Sequence, residues 1–96
     1  MLLAIDWTMP TLLIIDVQIG AFDGLKTSPV KDSELFMKNV HDLVVSFREK
    51  SFPIVYIQDC GEVGGAFEQG TDQWEIHPKI SPESNDAVIL LSLIHI

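Results

Sequence analysis

The sequence predicts an α/β protein built on a Rossmann-like, doubly wound, mainly parallel sheet that is incomplete at its C-terminus. Three observations carry that expectation. Thr11-Leu12-Leu13-Ile14-Ile15 is an apolar run without alternation, as a strand covered on both faces requires. An amphipathic helical pattern follows it, and Ile54-Val55-Tyr56-Ile57-Gln58, rich in β-branched and aromatic residues, reads as a second buried strand. Strand, helix and strand make a βαβ unit, whose strands run parallel.

The first strand stops at Asp16 and is expected to be central in the sheet. Gln18 to Lys31, with Gly20, Gly24 and Pro29, has turn residues and no sustained period, and reads as a loop. Asp32-Ser33 supplies an N-cap, and Glu34 complements the helix dipole. Phe36, Met37, Val40, Leu43, Val44 and Phe47 follow at helical spacing, giving a helix from about Ser33 to Lys50. Arg48 and Lys50 suit its C-terminal end, and Pro53 prevents continuation. From Asp59 to Asp86 glycines and prolines break every period, and long loops of that kind inside a compact domain are usually functional. Ala87-Val88-Ile89-Leu90 starts a third strand. A parallel sheet needs cover on both faces and this sequence supplies one helix, which is why the fold reads as incomplete.

Composition narrows the partners. At 96 residues one domain is the ceiling, and 47% apolar against 21% charged residues suits a packed core rather than a disordered chain. A formal charge of -8 sets a field that repels phosphate backbones and anionic lipid, so nucleic acid and membrane surfaces are not expected as partners. The single cysteine, Cys60, allows no internal disulfide and no cysteine cluster for zinc, which fits the reducing cytoplasm. Met1 to Ile5 is too short and lacks the basic start of an export signal. The apolar run from Ala87 to Ile96 falls well short of the roughly 20 residues that cross a bilayer.

Asp16 is the first candidate for chemistry. A carboxylate directly after a buried parallel strand lies at the carboxyl edge of the sheet, where open α/β folds bind ligands, and there it can take a proton from a thiol or a water. A strand-end aspartate capping nearby amides is the other reading of the same residue. Trp74 and Phe67 in the long loop either line a small-molecule pocket or pack the loop down. The glycines of Gly61-Glu62-Val63-Gly64-Gly65 satisfy neither the dinucleotide fingerprint nor the phosphate-binding loop. Gln18, standing where an acidic residue is wanted, speaks against phosphoaspartate chemistry at Asp16.

Thr11-Leu12-Leu13-Ile14-Ile15-Asp16-Val17-Gln18 followed by Phe22 resembles the opening signature of the isochorismatase-like cysteine hydrolases. The resemblance extends through the helix, Val55-Tyr56-Ile57-Gln58, the Gly61 to Gly70 loop and Gln73-Trp74-Glu75-Ile76-His77-Pro78, covering roughly Pro10 to Leu90. It implies a Cys-Asp-Lys triad in which the thiol attacks a carbonyl or imine-like carbon, the aspartate is its base and the lysine assists electrostatically. Asp16 matches the aspartate. The family's lysine follows the third strand and its cysteine lies far beyond, so Cys60 is expected to be an inert, partly buried thiol.

The resemblance makes Phe22 a pocket residue, and Trp74 and Gln18 join it as expected substrate-binding residues, with Gln18 also holding the loop after Asp16. His77 before Pro78 reads as structural. Nicotinamidase-like relatives bind zinc through an Asp and a His after the second strand. The matching Asp59-Cys60-Gly61-Glu62 has no His, so no metal and no cofactor are expected.

These readings define an isochorismatase-like domain portion over residues 9–90, with 1–8 as an upstream extension. Residues 91–96 read as a non-native tail, because Leu91-Ser92-Leu93-Ile94-His95-Ile96 is the translation of CTG TCT CTT ATA CAC ATC, a transposase adapter sequence. The expected activity of the parent protein is cysteine-dependent hydrolysis of a small amide, imide or enol-ether-like molecule, with these residues alone inactive and a homo-oligomer open. A non-catalytic binding or oligomerisation module that keeps the fold is the alternative.

Overall fold

The structure is a computed structural model that describes residues 9–92. The upstream extension, residues 1–8, and the last four tail residues, His95 among them, lie outside the described residues. Strands β1 (Leu12–Ile15), β2 (Ile54–Cys60) and β3 (Ala87–Ser92) form one parallel sheet in the order β1-β2-β3. Helix α1 (Ser33–Glu49) makes the crossover from β1 to β2, and three single-turn 3-10 segments follow β1 and β2: Ile19–Ala21, Asp72–Trp74 and Pro78–Ile80. The expected α/β fold with a parallel sheet is present. Two expectations are corrected in detail. Among the described residues β2 rather than β1 holds the centre, and β1 is an edge strand. A continuous apolar run reports burial, whereas strand order depends on pairings remote in sequence. The second strand also runs two residues past Gln58, through Asp59 and Cys60.

Register fixes the two faces. Leu12 pairs with Ile54 and Ile14 with Tyr56, and because side chains alternate along a strand, these four share the face that α1 covers. On α1 the inward stripe is Met37, Val40, Val44 and Phe47, at alternating intervals of three and four residues. Val44 and Tyr56 are 1% exposed, as is Ile80 from the last 3-10 turn, so the core is dry at its centre. Phe36 and Leu43, expected on the same stripe, sit at its border and remain substantially exposed. Leu13 and Ile15 point to the opposite face of β1 and are about half exposed, at 52% and 54%.

The helix ends differ from their sequence expectation. Asp32 takes a left-handed conformation (φ 52°, ψ 44°) and makes no side-chain capping bond; its carbonyl accepts the Phe36 amide at 2.9 Å instead. At the C-terminus Ser51 is left-handed (φ 56°), the Ser51 amide donates to Arg48 O at 3.0 Å and the Phe52 amide to Phe47 O at 2.9 Å. That reversal ends the helix at Glu49, four residues before Pro53. Arg48 then ties α1 to the segment before β3: its guanidinium donates to Asp86 Oδ2 at 2.6 Å and pairs with Glu83 Oε2 at 2.8 Å, with the Tyr56 hydroxyl 3.3 Å away. No helix among the described residues is long and apolar enough to cross a membrane.

Candidate active site

Where β1 ends, the chain turns abruptly. Asp16 is left-handed (φ 60°), a conformation that Asp tolerates better than most residues and that costs of order 1 kcal/mol or more. Its amide still donates to Ile57 O at 3.0 Å, so the turn is anchored to the central strand. The next residues are then bound to the loop after β2. His77 N donates to Val17 O at 3.0 Å, Ile19 N donates to Glu75 O at 2.9 Å, and Gln18 and Ile76 form an antiparallel bridge. Gly20 lets this crossing be close: a Cβ there would overlap the Ala66 carbonyl oxygen and press on Gln73 Cβ at 3.1 Å.

Gln18 is the hub. It is completely buried, and its amide embraces the Asp59 backbone, accepting from Asp59 N at 2.8 Å and donating to Asp59 O at 3.0 Å. The same Nε2 donates to Trp74 O at 2.7 Å, and Gln58 Nε2 donates to that carbonyl at 2.9 Å. Two buried glutamines therefore fix the Trp74 loop against the carboxyl edge of the sheet. Gln18 was expected both to hold the loop and to meet substrate, and in the structure its amide is occupied by the first task.

Asp16 stays exposed at this edge. Partial loss of hydration raises its carboxyl above the ordinary range, and the negative charge of Asp59 adds to the shift. Asp59 itself, which ends up inside β2, keeps one enclosed carboxylate oxygen, Oδ1, without a hydrogen-bond partner. Trp74 lies in the Asp72–Trp74 turn, half-buried, with its indole N–H also enclosed and unpartnered. Buried polar atoms are nearly always satisfied, so each of these two orphans is an exception to the usual pairing.

The remaining candidates divide. Phe22 packs between Phe36 (centroids 6.0 Å) and the edge of His77 (5.3 Å), joined to the core and partly exposed. His77 accepts the Lys79 amide on Nδ1 at 3.2 Å, and burial followed by the charge of Lys79 lowers its proton affinity, which favours the neutral ring. Cys60 is buried at 6% exposure at the end of β2. Phe67 packs over Gly61, whose amide donates to Phe67 O at 2.8 Å. A hollow of about 410 Å³ beside Arg48, Phe52 and Asp86 lies at the amino edge, away from Asp16, and the Arg48 charge there is already taken. Sequence reasoning passed over Asp59 and Gln58. The rule that selected Asp16, a carboxylate directly after an apolar run, applies equally to Asp59, which follows the run Ile54 to Gln58 in the sequence.

Fold and site together define a parallel α/β protein with a carboxylate at the carboxyl edge of its first strand. The isochorismatase domain family model matches residues 10–90, and the chain belongs to that family. Streptothricin hydrolase of Streptomyces noursei is 28% identical over 78 residues, covering 81% of this chain and 30% of that protein. A protein described as an isochorismatase hydrolase from Oleispira antarctica superposes with a TM-score of 0.80 at 26% identity, over 95% of this chain and 50% of its own. The fold is shared with the pyrazinamidase of Pyrococcus horikoshii, solved in complex with zinc, at a TM-score of 0.71 and 21% identity, over 85% of this chain and 51% of that one. The chain thus spans between 30% and 51% of the length of these relatives. Among the described residues no three His, Cys, Asp or Glu side chains gather to hold a metal ion.

Proposed function

We propose that residues 9–90 form the base-bearing half of a cysteine-dependent hydrolase acting on a small amide, imide or enol-ether-like substrate, with Asp16 as the general base. The observation that carries this reading is the placement of an exposed carboxylate of raised proton affinity on an anchored turn at the carboxyl edge of a parallel sheet. A carboxylate with its affinity lifted toward the working pH removes a thiol proton more readily than an ordinary one. With an amide or imide, the proton of the thiol passes to Asp16, the sulfur bonds to the carbonyl carbon, and the nitrogen leaves with that proton from Asp16. Water then cleaves the resulting thioester. The thiol and the assisting lysine come from outside these 96 residues in this reading. Trp74 and Phe22 flank the substrate, while Gln18 works by holding Asp59 and Trp74 in place. The enzyme works in the cytoplasm, and a homo-oligomer is compatible with it.

The test is hydrolysis of a panel of small amides, imides and enol ethers by the longest reading frame that carries these residues. Turnover that iodoacetamide abolishes, and that Cys60→Ser retains, is the expected outcome. Activity that survives alkylation, or that disappears with a correctly folded Cys60→Ser protein, contradicts the proposal.

A further inference from the structure

We propose that Asp59 is a positioning residue for the Asp16 base: clamped at the carboxyl end of β2 by the Gln18 amide, its carboxylate sets the field in which Asp16 takes up and releases a proton. This rests on the reading of Asp16 as the base.

Placement is the first argument. Ile15 pairs with Ile57, so Asp16 leaves the sheet beside Gln58, and Asp59 follows one residue further along the neighbouring strand. Fixation is the second. Both backbone polar groups of Asp59 are bound by one buried side chain, at 2.8 and 3.0 Å, and that side chain is two residues from Asp16. Any shift of Asp59 relative to the Asp16 turn breaks two hydrogen bonds.

The third argument is that among the described residues no Lys, Arg or His forms an ion pair with Asp59. Its Oδ1 is enclosed without a partner, and across the sheet it pairs with the apolar Leu91. The short turn after β1, Ile19–Ala21, carries no charge. The Asp72 to His77 loop brings Asp72, Glu75 and a histidine whose proton affinity is lowered, and β2 brings the buried Cys60. Arg48 pairs with Asp86 and Glu83, and Lys38 with Asp42; the charge of Lys79, the cation that follows the Asp72 to His77 loop, is felt by His77. A like charge held at fixed distance disfavours ionisation of its neighbour, which agrees with the direction of the Asp16 shift. Two carboxylates so arranged let the enzyme keep a stronger base than a lone strand-end aspartate supplies.

Carboxyl 13C NMR titration of dilute, aspartate-labelled 96-residue protein tests this without needing turnover. In Asp59→Asn the Asp16 midpoint is expected to move to lower pH, while in the control Asp72→Asn it stays. An Asp16 midpoint in Asp59→Asn that is unchanged or higher overturns the proposal. If Asp59→Asn does not fold, the wild-type curves decide: mutual inflections in the Asp16 and Asp59 resonances support the coupling, and two independent single-site curves overturn it. In an active enzyme the acid limb of kcat/KM follows the same shift, whereas a merely structural loss scales the rate without moving that limb. Failure of this coupling leaves Asp16 as base untouched, because that reading is judged by the turnover of Asp16 variants.

Discussion

Asp16 and Gln18 stand two residues apart and use their polarity in opposite ways. Asp16 keeps its carboxylate open and only partly hydrated, next to a like charge; Gln18 is sealed in with three hydrogen bonds at 2.7 to 3.0 Å. Replacing Gln18 with Leu leaves the Asp59 amide and carbonyl without the Gln18 side chain, while Trp74 O keeps Gln58 Nε2. Because a stranded buried polar group costs about 1–3 kcal/mol, the variant is expected to lose at least about 2 kcal/mol in urea denaturation, a large share of the stability of a domain this size. A loss within about 0.5 kcal/mol means that water replaces the amide and the clamp is not structural. Asp16 was legible in the sequence because an uninterrupted apolar run ended on it. The clamp was not, since its partners lie 41 and 56 residues away and no local pattern announces a pairing of that range.

At the scale of elements, α1 shows which signals are local. Its inward stripe followed from the three-and-four spacing of Met37, Val40, Val44 and Phe47. Its ends did not follow, because left-handed residues, Asp32 before it and Ser51 after it, do the work expected of a side-chain cap and of Pro53. Ser51→Gly is therefore expected to stabilise the chain by about 0.5–1 kcal/mol, since glycine meets φ 56° without strain; a destabilised variant in thermal melts argues against the reversal. The link between α1 and the approach to β3 is polar. Asp86, whose side chain is 7% exposed, holds Arg48 at 2.6 Å and also accepts the Glu83 amide at 2.8 Å, so Asp86→Asn is expected to cost about 1–3 kcal/mol. Chemical denaturation that places Asp86→Asn within error of wild type removes this staple from the account.

Across the whole molecule, the sheet is covered by α1 on one face, while Leu13 and Ile15 of the edge strand stand about half exposed on the other, and Leu91 of β3 is 47% exposed. An apolar edge strand with exposed side chains invites association. Dynamic light scattering of the 96-residue protein is expected to show particle size rising with concentration, and Leu13→Lys is expected to suppress it; a monodisperse monomer at every concentration contradicts this. The parallel α/β class was legible because buried parallel strands leave continuous apolar runs, and a βαβ unit needs only a strand, a helix and a strand in order. The place of β1 at the sheet edge was not, nor was the extension of β2 through Asp59, since both are set by pairing rather than by composition.

The central claim, that the carboxylate closing β1 is a working base, is tested most directly by kcat/KM for Asp16→Asn in the longest reading frame carrying these residues, on whichever amide or imide substrate it turns over. Asn keeps the left-handed turn and the size of the side chain but has no basic oxygen. The account predicts a fall of roughly 100-fold or more, the usual worth of a positioned general base, in a protein whose melting temperature is unchanged or slightly raised by loss of the repulsion with Asp59. A folded Asp16→Asn enzyme that retains most of its kcat/KM would contradict it and return Asp16 to the role of a strand-end cap.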